Sequence, residues 1–261
     1  KDILNQIAAW VEPSDLDLPG YKPTTEPNPK MVQQASSLIK KSKKPILYVG
    51  GGIIHSKANN ELFELATKFN IPVVTTLMGR GAFPDGHELC LEMPGMHGNY
   101  TATTSIQNAD LLIAIGVRFD DRVTANPSFF AQNAKVIHAD IDPAEIGKVR
   151  DAQVPIVGDA KSVIKGLIEA LGDEKLDTEN WVSELKEMKT AFPLSYKQED
   201  KGPLKVPYVL EELQKLTKEE AIVVAGVGQH QMWVSQHWNF TEPNTWLNSG
   251  GLGTMGYALP A

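Results

Sequence analysis

Apolar residues recur along this chain in two alternating periods. Short unbroken runs, PILYV at 45–49, IPVVTTL at 71–77, DLLIAIG at 110–116, KVIHADI at 135–141 and VPIVG at 154–158, have the length and β-branched content of strands buried on both faces. Between them, apolar positions return every three to four residues. Met31, Ala35, Leu38 and Ile39 share one helical face behind Asn28 as N-cap and Pro29 as first helical residue, with Lys40, Lys41, Lys43 and Lys44 favouring the C-terminal end. Leu62, Leu65, Ala66 and Phe69 form a second face and residues 101–108 a third helical stretch. Val163, Ile164, Leu167 and Leu171 form a further face that Gly172 closes in a left-handed cap. Strands alternating with helices predict an α/β domain over 29–172, a doubly wound parallel sheet covered on both faces through right-handed crossovers.

The pattern changes on either side of that domain. Residues 1–28 read as an extended linker, with five prolines between 11 and 30. Residues 173–203 are charged, with helical spacing around Trp181, Leu185 and Met188, and read as an interdomain connection. VPYVLEELQKL then predicts a helix and AIVVA a strand, the opening of a second, incomplete α/β domain over 204–261.

Composition narrows the function classes. Over 261 residues, 42% hydrophobic content supplies a core for one large domain or two ordinary ones. A formal net charge of -7 speaks against nucleic acid or an acidic membrane surface, since both select basic proteins. No apolar run approaches the roughly 18 to 20 residues that cross a bilayer. The lone Cys90 precludes an internal disulfide and fits a reducing compartment. KDILNQIAAW has neither the basic nor the apolar region of a signal peptide, and the glycine-rich LNSGGLGTMGYALPA sets the expectation of a piece of a longer polypeptide.

Candidate chemistry collects behind the strands, where open α/β sheets bind ligands. GGGI follows PILYV, TTL follows IPVV, GVRFDDR follows LLIAI, DIDP follows VIHA and GDA follows VPIV. Glycines let backbone approach a ligand, Asp140 and Asp159 can accept from ribose or adenine, and Arg118 offers a planar cationic fork for phosphate. Bland readings stand beside these: Asp140, Asp142 and Asp159 serve equally as N-caps, and Arg118 with Asp120, Asp121 and Arg122 serves equally as an ion-pair cluster. The dinucleotide fingerprint fails because GGGIIH puts His55 where its last glycine belongs. No P-loop or G-x-S-x-G occurs, and the histidines at 55, 87, 97, 138, 230 and 237 make no recognisable zinc motif. Behind AIVVA, the stretch GVGQHQMW clusters small and donor residues suited to a diphosphate.

LEMPGMHG, QNADLLIAIGVRFDDRVT, GVGQHQMW and SGGLGTMGYALPA together resemble the acetohydroxyacid synthase (acetolactate synthase) family of thiamine-diphosphate enzymes. The resemblance covers nearly the whole chain and is weakest in 1–30 and 173–203. It implies a middle domain for FAD contacted by His97, Gly98, Gly116, Arg118, Asp140 and Asp159, together with Gly50, Gly52, Thr76 and Leu77. It implies that Val227, Gly228, Gln229, His230, Gly253 and Met255 line thiamine diphosphate, Met255 packing under the bent cofactor where core filling is its bland alternative. For Trp233, burial against the following helix is the preferred reading. Met96, Asp121 and Arg122 match the mouth of a substrate channel where inhibitors of the family bind.

The implied reaction joins two pyruvates, or pyruvate and 2-oxobutyrate, with loss of CO2, in branched-chain amino-acid synthesis, the flavin taking no net part in electron transfer. The resemblance also implies that the activating glutamate and the Mg2+ ligands are missing from this chain, so the isolated chain is expected to be inactive. It further implies a homodimer or homotetramer as the full-length protein, a small regulatory subunit, and a cytoplasmic location by bacterial default, with plastid or mitochondrion as the eukaryotic counterparts. A glyoxylate carboligase or other thiamine-dependent decarboxylase, and a stand-alone FAD or nucleotide-binding module without catalysis, are the alternatives.

Overall fold

In the computed structural model, residues 6, 7, 9, 10, 12, 20–217 and 220–261 are described; the linker reading of 1–28 falls partly outside them. The first helix, α1 (Pro29–Ile39), starts where Asn28 accepts from Lys30 N, with Pro29 in the first turn. Then follow β1 (Pro45–Val49), a short α2 (Gly51–His55), α3 (Asn59–Lys68), β2 (Val73–Thr75), α4 (Tyr100–Asn108), β3 (Leu111–Ile115), a one-turn α5 (Asp121–Thr124), β4 (Lys135–Asp140), β5 (Val154–Val157) and α6 (Ala160–Leu171). The five strands form one parallel sheet in the order β2-β1-β3-β4-β5. Thr76 and Leu77, expected at the end of a strand, instead lead into a 3-10 turn at Leu77–Gly79.

Two apolar layers explain why the strands read as unbroken runs. One face buries Leu47, Val49, Ile113, Ile115, Ile137 and Ile156 under α1, α3 and α6. The other buries Ile46, Tyr48, Leu112, Ala114 and Val136 under α4 and α7 (Glu179–Ala191), which supplies Trp181 and Leu185. Each fully buried aliphatic side chain contributes about 1.5–3 kcal/mol. Trp181 Nε1 also donates to Pro45 O at 3.2 Å, at the start of β1. Residues 179–191, expected within an interdomain connection, are therefore a cover of the central sheet: the spacing of Trp181 and Leu185 gives the helix an apolar stripe, and the bare second face of the sheet is what it packs on.

The C-terminal unit comprises α8 (Val206–Thr217), β6 (Val223–Ala225), α9 (Gln229–His237) and β7 (Trp246–Asn248), with β6 and β7 paired in parallel across α9. Its small core of Ala225, Val234, Trp238, Phe240 and Trp246 packs against Leu77 of the central domain. Among the described residues, no helix is long and apolar enough to cross a membrane.

Candidate functional site

In the observed strand order the connections run outward from β1 to β2 and then back to β3, so the switch point lies between β1 and β3. Gly50, Gly52 and Gly116 meet there. A Cβ on Gly50 would stand 2.3 Å from Gly116 O, and one on Gly52 would stand 2.6 Å from Gly116 Cα. Gly116 has φ +60°, and Gly52 N donates to Gly116 O at 3.2 Å. The loops behind β1 and β3 thus touch backbone to backbone, leaving the strand ends bare of side chains. Thr76 N reaches Val49 O at 2.9 Å and draws the turn behind β2 into the same edge.

The loop behind β3 holds Arg118 and Asp120 as an ion pair, with Arg118 half-exposed. Asp120 also caps α5 by accepting from Arg122 N at 2.9 Å. Burial lifts the Asp120 carboxyl, but the Arg122 amide and the Arg118 guanidinium outweigh it and hold it below the usual carboxylate range. Met96 N donates to Arg122 O at 2.8 Å, so Met96 and Arg122 share one edge. Met96, Asp121 and Arg122 are all exposed.

Sequence reasoning missed what supports this loop. Phe119, inside the charged run RFDDR, is buried at φ +55° and packs edge-on to His138 with ring centroids 5.0 Å apart. His138 is fully buried, and its Nε2 lies 2.8 Å from Val117 O. An apolar residue interrupting a charged run was the available signal. Burial depresses the His138 imidazole below the usual histidine range despite the Val117 carbonyl and Asp140.

Asp140 and Asp159 lie at neighbouring strand ends, joined by Gly158 N donating to Asp140 O at 3.0 Å. Asp159 Oδ1 caps α6, accepting from Lys161 N at 2.9 Å and Ser162 N at 3.4 Å. Asp140 closes a turn onto Asp142 N at 2.9 Å, and burial pushes its carboxyl up. His97 is exposed, but its carbonyl accepts from Gln236 Nε2 of α9 at 2.7 Å. Gly98 sits where a Cβ would meet Met93 O at 2.3 Å.

A second cluster forms behind β6. Gln229 and His230, expected on a strand end, open α9 instead, with Gly228 as its N-cap at φ +150°. No side chain caps the helix, and Gln229 and His230 in its first turn are exposed. Gly253 faces Val227, its added Cβ falling 3.8 Å from Val227 Cγ1, and Gly226 lies near His230 and Gly256. Met255 is exposed in this loop rather than core filling. Trp233 lies on α9 itself and is half-buried. Gln231, unassigned in the sequence reading, is buried and donates to Asn248 Oδ1 at 3.0 Å and Ser249 O at 3.1 Å, tying α9 to the end of β7. The clusters adjoin through Trp246 Nε1, which donates to Leu77 O at 3.1 Å, and through Met78, whose sulfur lies against Gly250. A groove of about 800 Å³ lined by Glu92, Thr101, Lys189, Phe192 and His237 holds none of the candidate residues.

A family model described as thiamine pyrophosphate enzyme, central domain, matches residues 32–167. One described as thiamine pyrophosphate enzyme, C-terminal TPP binding domain, matches residues 226–261. Over its whole length the chain is 52% identical to the acetolactate synthase large subunit of Corynebacterium glutamicum and covers 42% of it. It is likewise 52% identical to an acetolactate synthase of Mycobacterium leprae, covering 42%, and 42% identical to the large subunit of Buchnera aphidicola from Schizaphis graminum, covering 46%. The chain thus spans less than half the length of these curated relatives.

Proposed function

The chain belongs to the thiamine pyrophosphate enzymes, and from that premise we propose that it forms the central part of the catalytic subunit of an acetolactate synthase. The reaction is the condensation of two pyruvates to 2-acetolactate with release of one CO2, or of pyruvate with 2-oxobutyrate to the homologous product. The observation that carries this reading is the convergence of two glycine loops, 226–228 and 250–256, on the N-terminal turn of α9. Identity to named acetolactate synthases across the whole chain supports it.

Thiamine diphosphate, when bound, supplies the nucleophilic carbon that adds to the first 2-oxo acid and stabilises the charge left by CO2. Gln229 and His230 offer open donors at the positive end of α9, the environment a diphosphate prefers. Gly228 and Gly253 keep side chains out of its approach, and Met255, exposed on the facing loop, is free to pack against an apolar ring.

FAD fits the switch point. Gly50, Gly52 and Gly116 pack backbone to backbone and present no side chain to a flavin lying over the strand ends, Arg118 would hold a phosphate, and Asp140 and Asp159 border the adjacent strand ends as acceptors. Met96, Asp121 and Arg122 would line the substrate entrance. Mg2+ would be held by the family's ligands outside residues 1–261. Assembly as a homodimer or homotetramer with a small regulatory subunit, in a bacterial cytoplasm, completes the reading.

The experiment is product analysis on the full-length subunit with thiamine diphosphate, Mg2+ and FAD. Acetolactate and CO2 in equal amounts from pyruvate are expected. Carboligation of glyoxylate in preference to pyruvate, or flavin binding without any carboligation, overturns the proposal. Arg118→Ala should lower the flavin absorbance of the purified subunit while leaving its thiamine affinity within about threefold, because the lost charge-assisted contact belongs to the central domain.

A further inference from the structure

The loop leading from Gly79 to Cys90 carries a charged pair that neither glycine cluster uses. The side chains of Arg80 and Asp85 are each 1% exposed. Arg80 Nη1 donates to Asp85 Oδ1 at 2.8 Å and Nη2 to Asp85 Oδ2 at 2.6 Å, a parallel two-bond fork. Nη1 also reaches Thr75 Oγ1, at the end of β2, at 3.4 Å. Cys90 Sγ, at the end of the same loop, lies 3.6 Å from Asp85 Oδ1, and the other contacts come from the C-terminal unit. Phe240 N donates to Asp85 Oδ2 at 2.7 Å, and Asp85 N donates to Phe240 O at 3.1 Å. The guanidinium carbon stands 5.5 Å from the centroid of the Phe240 ring. One residue further along, a Cβ on Gly81 would come within 2.5 Å of Glu242 O, so this loop and the turn leading to β7 touch at backbone distance.

Burying two charges costs several kcal/mol per ion before their attraction returns it, so apolar residues would fill this space at least as stably. A fork and a carboxylate supply direction. Held by two parallel bonds, the carboxylate cannot rotate, and its Oδ2 points at a single backbone N–H across the boundary. We infer that Arg80 and Asp85 form an interdomain latch: Arg80 is a positioning residue that fixes the Asp85 carboxylate, and Asp85 fixes the backbone of Phe240, so the C-terminal unit docks in one register on the loop behind β2. Phe240 packs on Trp246 with ring centroids 5.3 Å apart, Trp246 reaches Leu77 O, and β7 runs from Trp246 into the 249–256 loop, so the latch also sets that loop against Met78. Only this last consequence, for the cofactor loops, rests on the proposed function.

Residue-resolved hydrogen exchange in the full chain without cofactors tests the latch independently of any activity. Asp85→Asn leaves the Arg80 charge buried and unpaired. Exchange at the amides of Phe240 and 246–248 is then expected to accelerate at least tenfold, with those of 111–115 within twofold of the parent. Arg80→Met combined with Asp85→Asn removes both charges and the fork, leaving an acceptor for Phe240 N that nothing orients, so the Phe240 amide is expected to stay at least about tenfold faster than in the parent. Uniform acceleration in both units, no acceleration, or a double variant back within about threefold of the parent overturns the inference, the last because the unpaired charge alone would then explain Asp85→Asn. Should Asp85→Asn be insoluble, Arg80→Lys decides: it keeps a charge but loses the fork, and a smaller acceleration confined to 240–248 supports the latch, while a uniform or absent one overturns it. A latch that holds in a subunit making no acetolactate leaves this inference standing and removes only the proposed reaction.

Discussion

The strand β2, VVT, and the strand β6, VVA, are nearly the same three residues in the same parallel setting, yet β2 is buried throughout and β6 is half-buried along two of its three residues. What separates them is company. β2 belongs to a five-stranded sheet with a helical layer on each face. Both are edge strands with one paired strand, but the sheet of β6 holds two strands among the described residues, and α8 buries only Gln214, leaving Leu213 and Leu216 exposed. Leu204, Ile222, Leu252 and Leu259 are exposed in the same unit. Local pattern chooses the element; burial depends on what the rest of the fold brings to it.

The largest expected effect tests that contrast in the two cores. Ile113 is fully buried at the centre of the sheet, so Ile113→Ala should cost about 4 kcal/mol through lost transfer energy and a cavity with little room to collapse. Val224→Ala, on a half-buried strand, should cost about 1 kcal/mol. Urea denaturation of the two variants checks this, and comparable losses would mean that the C-terminal unit is as tightly packed as the central one. Next in size is Gly50→Ala, expected to cost about 3 kcal/mol because the new methyl meets the Gly116 carbonyl and both partners are backbone. Gly251→Ala faces open space at φ +71° and should cost about 1 kcal/mol from conformation alone. Equal costs would show that the switch-point loops give way more readily than their contact implies.

These contrasts also mark how much could be read in advance. The five central strands were legible because strands buried on both faces are written as continuous apolar runs, and their order of appearance with helices gave the sheet type. Helix α9 was not: QHQMWVSQH mixes polar and apolar residues around the axis, so no stripe announces it. β7, three residues long, is too short to stand out. At the site, Gly52 and Gly116 were each visible as glycines behind strands, but their contact joins positions 64 apart in sequence and exists only through the sheet order. The burial of Arg80 and Asp85 left no trace either, since a charged pair in a loop reads as surface until a second unit covers it.

A pH series separates the two units by their histidines. His138, in the central sheet, is held below the usual range by burial, although Asp140 and Glu145 pull the other way. Its folded value is therefore lower than its unfolded one near 6.5, so as pH falls below about 6.5 the unfolded chain takes up a proton that the folded chain refuses, and stability declines until the folded value is passed. His237, on α9, is shifted in the same direction by partial burial, against Glu211 and Glu92. The melting temperature should fall between pH 7.5 and 5. His138→Gln should flatten that fall more than His237→Gln does, because the His138 ring is wholly enclosed. The reverse ranking would place the acid-sensitive contact at α9.

The smallest effect bears on a residue with two readings. Asp159 caps α6 through Oδ1 alone, accepting from both Lys161 N and Ser162 N, and a capping oxygen is worth about 1 kcal/mol when replaced by alanine. Asparagine keeps an oxygen at that position and is an equally good cap, so Asp159→Asn should lower stability by only a few tenths of a kcal/mol. The negative charge is what asparagine removes, along with the second acceptor. A structural cap therefore predicts that flavin absorbance after purification follows stability, lowered by alanine and held by asparagine. A residue that also accepts from a bound ribose or adenine predicts a different split: asparagine keeps the melting temperature and loses flavin. Measuring both quantities on both variants decides between them, because the cap needs one oxygen of the carboxylate and a ligand contact would draw on the other.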